Sequence, residues 1–219
     1  MSDLVGYELK DGVAWLSLDD GKANALSLAM STAIGAGLDR AASEAKVVVL
    51  RGRPGILGGG FDLKVIRGGD MAARAAMVES GMALISRLYL HPQPVVIACT
   101  GHAVAAGALT LLTGDIRIGL KGAFRIGLNE TSIGLSLPPA GVELARDRLV
   151  PGALVEATLG ARLYGPDEAV AAGYLDRAVF VAEFDKVVAE AAARCLALDG
   201  AAYAGTKARL RGTFTARCK

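Results

Sequence analysis

Neither charge sign dominates this chain. Its 219 residues hold 24 Lys and Arg against 22 Asp and Glu, so no broad field of one sign is available to recruit nucleic acid or an anionic membrane. Any basic binding site must be local. Histidine is scarcer still: His91 and His102 are the only two, too few for a zinc cluster, and no metal site is expected. The three cysteines, Cys99, Cys195 and Cys218, are odd in number and lack paired spacing, which fits a reducing cytoplasm better than a disulfide scaffold. The first residues, Met-Ser-Asp-Leu-Val-Gly-Tyr-Glu, have no basic-then-apolar order and do not read as a signal peptide.

Familiar catalytic signatures are also missing. No Lys-Ser or Lys-Thr follows a glycine loop at Walker spacing, and no G-x-G-x-x-G opens a helix after a strand. The chain has no G-x-S-x-G elbow and no H-E-x-x-H, which removes the commonest hydrolase and metalloprotease patterns. One stretch, Val95 to Thr113, is free of formal charge and long enough to suggest a membrane helix. It begins with a β-branched run and carries Gly101 and His102 in its middle, so a buried strand, a tight turn and a buried helix account for it better.

What is present is an alternation of apolar runs and helical periods. Val13 to Leu18 reads as a strand ending at Asp19-Asp20-Gly21. Apolar residues at Leu28, Met30, Ile34 and Leu38 recur at helical spacing, and Lys46 to Leu50 forms a buried strand. Arg51 to Gly60 holds Pro54 and five glycines and reads as a loop. A helix from about Met71 to Tyr89, a strand from Val95 to Cys99, an Ala-rich helical segment from Val104 and short strands at Asp115 to Ile118 and near Phe124 follow. After Pro138 the pattern is almost wholly helical, through Glu143 to Leu149, Ala153 to Gly160, Pro166 to Ala172 and Phe184 to Ala197. One α/β unit with helix-covered sheets is expected.

Three segments could carry chemistry. In Leu57-Gly58-Gly59-Gly60-Phe61-Asp62-Leu63, glycines let backbone N–H groups approach a ligand oxygen, so the loop can hold an oxyanion. It can equally be a flexible turn with Asp62 as a helix N-cap. Thr100 to Leu109 is a second small-residue turn between a strand and a helix, able to present another donor or simply to pack tightly. In Ile126-Gly127-Leu128-Asn129-Glu130-Thr131-Ser132-Ile133-Gly134, a carboxylate sits among apolar and small residues. Desolvation there would raise the pKa of Glu130 and make it a usable base, although a solvated turn glutamate is the plainer alternative. His102 is assigned no catalytic role.

In this order the three segments resemble the crotonase (enoyl-CoA hydratase/isomerase) superfamily. They look like its S/C-A-G-x-D-L loop, its N-G-x-x-x-G-G-G turn and its F-G-x-P-E-x-x-x-G segment, and Lys22-Ala23-Asn24-Ala25-Leu26 resembles its CoA-side motif. The resemblance implies a ββα spiral acyl-CoA-binding core over residues 1–137 and a helical region over 138–219 that mediates trimerisation, shortened relative to the family. It also implies a homotrimer or a dimer of trimers and no cofactor beyond the CoA of the substrate. Carried over position by position, the two oxyanion donors are the N–H groups of Gly59 and Ala106. Lys22, Ala23, Ala25, Gly60, Phe61, Asp62 and Leu63 are expected to hold CoA.

The family's second glutamate falls on Glu130 and its first on Leu109, a position expected to contact substrate. Hydration uses both carboxylates, whereas moving a double bond needs one base and an oxyanion hole. With Leu at the other site, the Ile-Gly-Leu-Asn-Glu-Thr wording looks closest to mitochondrial-type Δ3,Δ2-enoyl-CoA isomerases. The expected activity is therefore conversion of a 3-enoyl-CoA to a 2-enoyl-CoA. A hydratase or other lyase in which Glu143 or a bound water replaces the missing group, and an inactive acyl-CoA-binding protein, stand as alternatives.

Overall fold

The computed structural model describes residues 4–218. The chain opens with an antiparallel pair, β1 (Val5–Lys10) and β2 (Val13–Leu18), followed by α1 (Leu28–Glu44) and β3 (Val47–Arg51). Next come β4 (Gly55–Gly58), the short α2 (Leu63–Arg67) and the long α3 (Met71–Tyr89). Then follow β5 (Val95–Cys99), β6 (Gly101–Val104), α4 (Ala106–Leu112), β7 (Ile116–Leu120) and β8 (Ile126–Gly127). A 3₁₀ turn at Glu130–Ile133 leads to α5 (Pro139–Arg148), a second 3₁₀ turn at Pro151–Ala153, α6 (Leu154–Thr158), α7 (Pro166–Ala172) and β9 (Arg177–Val179). The helices α8 (Val181–Leu196), α9 (Gly200–Arg211) and α10 (Phe214–Arg217) complete it.

The strands form two sheets. Six run in the order β1-β2-β3-β5-β7-β9, and three in the order β4-β6-β8. Every pairing except β1 with β2 is parallel. Parallel pairing requires a long return between neighbours, and the helices supply it, covering both faces of the larger sheet. The two-residue period of a strand divides β3 cleanly. Val47 and Val49 face α8, packing with Phe184, Val188 and Ala191, while Val48 and Leu50 join the main core with Ile34, Leu38, Ile85 and Leu88. Both faces are buried, which is why these strands read as continuous apolar runs.

The α/β class and the helical C-terminal region hold. The stretch from Val95 to Thr113 is a strand, a second short strand and a helix, and among the described residues no helix is long and apolar enough to cross a membrane. The region after Pro138 is not wholly helical, however: β9 pairs with β7 through Ile118 and Arg177, Gly119 and Ala178, and Leu120 and Val179. The loop expected over Arg51 to Gly60 contains β4, and the turn expected at Gly101 and His102 is β6. Both are short, glycine-containing strands that exist only because β8 and each other supply their hydrogen bonds.

The C-terminal helices are fastened from below. Asp115 is bonded by the Val95 N–H at 2.7 Å and paired with Lys207 of α9 at 2.7 Å and Arg211 at 2.8 Å, all three side chains being buried. Phe214 of α10 is fully buried with its ring 4.7 Å from that of Tyr89. Arg217 reaches Glu143 and Asp147 on α5.

Candidate active site

The small sheet is the scaffold of the site. Each of its three parallel strands delivers one of the segments singled out above at its C-terminal end: β4 runs into the Gly59–Asp62 loop, β6 into the Ala105 turn, and β8 into Asn129 and Glu130. The carboxyl end of a parallel sheet is where chain segments diverge and leave a crevice. That crevice is a cavity of about 520 Å³. Its walls include Gly59, Gly60, Phe61 and Leu63 from the loop, Val104 and Ala105 from the turn, and Asn129, Glu130, Ile133 and Leu135 from the third segment.

Two close approaches hold the turns in place. Gly58 lies against Gly107, so that a Cβ on Gly107 would meet the Gly58 carbonyl oxygen at 2.0 Å. The segment before α1 closes the other side: the Leu26 N–H bonds the Gly60 carbonyl at 2.8 Å and the Gly59 N–H bonds the Ala23 carbonyl at 2.9 Å. This second bond corrects an expectation. The Gly59 N–H, assigned as an oxyanion donor, is spent on Ala23 and is not free for a ligand. The N–H groups of Gly60 and Phe61, next along the loop, have no partner among the described residues. The positive φ of Gly60, 102°, turns the chain at this point, a conformation suited to glycine.

Ala106 begins α4, and its N–H has no partner among the described residues, as the first turn of a helix leaves it. Its side chain is fully buried and outside the cavity lining; Ala105 is the residue of the turn that borders the cavity. Ala105 has φ 52° and ψ −122°, a left-handed conformation that costs any residue with a Cβ.

Glu130 is 8 % exposed, and its Oε2 is buried with no hydrogen-bond partner. Burial pushes its carboxyl above the ordinary range, and the N–H groups of Glu130 and Asn129 pull it back only in part. The sequence-based expectation of a desolvated carboxylate is met. The segment is fixed from the far side of the fold: Ile126 and Tyr164 exchange backbone hydrogen bonds at 3.0 and 2.9 Å, and the Leu128 N–H bonds the hydroxyl of the fully buried Tyr174 at 3.3 Å.

Other expected residues are placed differently. Leu109 is fully buried, close to Gly141 of α5 and outside the cavity lining. Asp62 is the N-cap of α2, accepting from the Lys64 N–H at 2.8 Å, and is also outside that lining. Lys22, Ala23 and Ala25 lie outside it too, in a turn organised by Asp20, which accepts the N–H groups of Lys22, Asn24 and Ala25. Glu143 is paired with Arg146 at 2.8 Å and Arg217 at 3.5 Å and does not border the cavity. His102 accepts the Arg125 N–H at 3.0 Å and meets the Phe124 ring edge-on, a structural role. Two residues that the sequence reading passed over, Arg67 and Arg74, do border the cavity. No group of three or more potential metal-binding His, Cys, Asp or Glu side chains occurs among the described residues.

Known proteins resemble this chain over nearly its whole length. Residues 8–218 match the enoyl-CoA hydratase/isomerase family model. A crystal structure of an enoyl-CoA hydratase/isomerase family protein from Pseudomonas syringae superposes with a TM-score of 0.95 at 43 % identity, over 99 % of this chain and 95 % of that one. A probable enoyl-CoA hydratase of Rhodobacter capsulatus is 31 % identical over 93 % of this chain and 79 % of its own length. The human mitochondrial enoyl-CoA delta isomerase 1 is 29 % identical over 98 % of this chain and 72 % of its own. With its motifs at the carboxyl ends of three parallel strands and a family match over nearly its whole length, the chain is an enzyme of the enoyl-CoA hydratase/isomerase family.

Proposed function

We propose that the enzyme is an isomerase that shifts the double bond of a 3-enoyl-CoA to the 2-position. The observation that carries this reading is that Glu130 is the only carboxylate bordering the cavity among the described residues. Leu109 offers no proton, and Glu143 is held outside by two arginines. A single base suffices for the transfer. Glu130 takes the C2 proton, and the electron pair left at C2 spreads onto the thioester oxygen and, through the C3–C4 double bond, to C4, as a dienolate. The protonated Glu130 then returns the proton to C4, leaving the bond between C2 and C3 and consuming nothing.

The developing oxyanion is received by the N–H of Ala106 and an N–H of the Gly60–Phe61 stretch, each such donor contributing about 3 kcal/mol to the transition state. The apolar wall of Leu63, Ile66, Val78 and Leu135 excludes water and keeps the Glu130 proton for the substrate. A carboxyl whose pKa is raised above the ordinary glutamate range suits both halves of the cycle, since the same group must accept and then donate.

The test is twofold. Purified protein is incubated in deuterated water with a saturated acyl-CoA, and exchange at C2 is followed; a 3-enoyl-CoA series is then assayed for the conjugated product. Wild type should catalyse both, and Glu130→Gln neither. A 2-enoyl-CoA is supplied in parallel: its conversion to a 3-hydroxyacyl-CoA, with no isomerisation of the 3-enoyl series, would reject the reading in favour of hydration, and tight thioester binding without exchange would reject catalysis.

A further inference from the structure

Arg67, the last residue of α2, and Arg74, near the start of α3, both border the cavity that holds Glu130. Neither has an acidic partner among the described residues. The acids on either side of α2 are committed as caps: Asp62 caps α2 by accepting the Lys64 N–H, and Asp70 caps α3 by accepting the Ala73 N–H at 2.9 Å. Arg67, an exposed residue, and Arg74, half-buried, thus border a mainly apolar cavity with no acidic partner of their own, and Glu130 is the one carboxylate that borders it among the described residues. Arginine is suited to such a place when a planar anion must be recognised, because its fork of donors matches a carboxylate.

We infer that the acyl group taken by this site carries a carboxylate at the end remote from the thioester, and that Arg67 and Arg74 receive it. The inference rests on the acyl-CoA reading above, in which CoA lies toward Lys22–Ala25. Those residues are outside the lining of this cavity, whereas the two arginines border it together with Glu130 and the Gly60–Phe61 turn that receives the thioester; the inference places the arginines along the acyl chain, beyond the thioester. The apolar residues Leu63, Ile66 and Val78 occupy the same two helices. The site therefore accommodates a methylene chain and meets its far end with positive charge.

Calorimetric titration with two saturated thioesters of equal chain length, hexanoyl-CoA and adipyl-CoA, tests this without any turnover. A charge-assisted pair predicts that wild type binds adipyl-CoA about tenfold to a hundredfold more tightly. The Arg67→Met/Arg74→Met protein should bring the ratio of the two affinities close to one. A wild-type ratio near one overturns the inference, and so does a variant in which both affinities fall together with the ratio kept, because that places the arginines on the CoA phosphates. Failure of the isomerase reading would appear in the deuterium-exchange assay and leave this ratio untouched, so the two outcomes are separable.

Discussion

Gly107 meets Gly58 at backbone contact: a Cβ built on Gly107 would lie 2.0 Å from the Gly58 carbonyl oxygen and 2.4 Å from its carbonyl carbon. Two turns separated by a long stretch of chain are thereby locked to one spacing, and the spacing is that of the two groups of N–H donors. Gly107→Ala must push the turns apart, since backbone atoms cannot move aside as a flexible side chain can. A cost of about 3 kcal/mol or more is expected, read from the denaturant midpoint. Any folded fraction should have lost exchange activity.

Glu130→Gln separates stability from catalysis. Because burial raises the Glu130 pKa, the native state holds its proton at pH values where the unfolded chain has released it. Stability therefore falls as pH rises from the ordinary glutamate value through the elevated one. The neutral amide removes that penalty, so the variant should melt higher than wild type at neutral pH, while activity drops by about 10²- to 10⁴-fold. In wild type the rate should rise with pH through the same elevated pKa, the deprotonated carboxylate being the active base. A melting temperature that falls in the variant would contradict this account of the carboxyl.

Ala105 stores strain that glycine would release. At φ 52° and ψ −122° a Cβ is costly, and Ala105→Gly removes it at the expense of a more flexible unfolded chain. The two effects oppose, and a net gain of about 1 kcal/mol is expected. Urea titration of both proteins measures it.

Glu143→Gln discriminates a structural carboxylate from a catalytic one. Its partners Arg146 and Arg217 are themselves well exposed, so screening limits the loss to about 1 kcal/mol. Turnover should stay within about threefold of wild type, since a lost general acid or base costs at least about a hundredfold.

Acid stability should depend on His91. Burial, with the charges of Lys207 and Arg87 acting in the same direction against Asp115 and the Gln93 backbone, lowers its pKa to about 4, and its Nδ1 is buried without a partner. As pH falls from 6.5 toward that value, the unfolded chain takes up a proton that the native state refuses. Stability on the order of 3 kcal/mol should be lost over this window, and His91→Gln should flatten the profile. A wild-type profile already flat across it would contradict the assignment.

Much of the larger sheet was legible because it is written in local patterns. Met71 to Tyr89 and Pro166 to Ala172 form helices with the bounds read from periodicity, and Val95 to Cys99 forms the strand read from its unbroken apolar run. β1 escaped notice because, after the buried Val5, most of its residues are half-buried or exposed, leaving no apolar signal. Two strands of the small sheet were illegible for a different reason. A short strand was read near Phe124, close to β8, but Gly55–Gly58 and Gly101–Val104 have little strand propensity of their own and are extended only because they pair with one another and with Ile126–Gly127.

The same distinction runs through the site. Glu130 could be located because its order relative to two glycine turns carries the family resemblance. Which N–H of the first turn stays open could not, because that is decided by where the Ala23 carbonyl arrives. Arg67 and Arg74 were missed because basic residues on helices ordinarily mark a solvated face. Only the cavity beneath them gives them another meaning.

The bonds from Tyr164 and Tyr174 to the Ile126–Leu128 segment impose an order of assembly. The two oxyanion turns belong to the first half of the chain and can meet as soon as Gly58 and Gly107 have both been made. The segment that leads to Glu130 pairs with the earlier β6 on one side, but its backing from Tyr164 and Tyr174 comes from residues synthesised later. On a ribosome the cradle for the thioester would stand ready while the proton carrier still waited for its support, so the enzyme becomes competent late in its own synthesis.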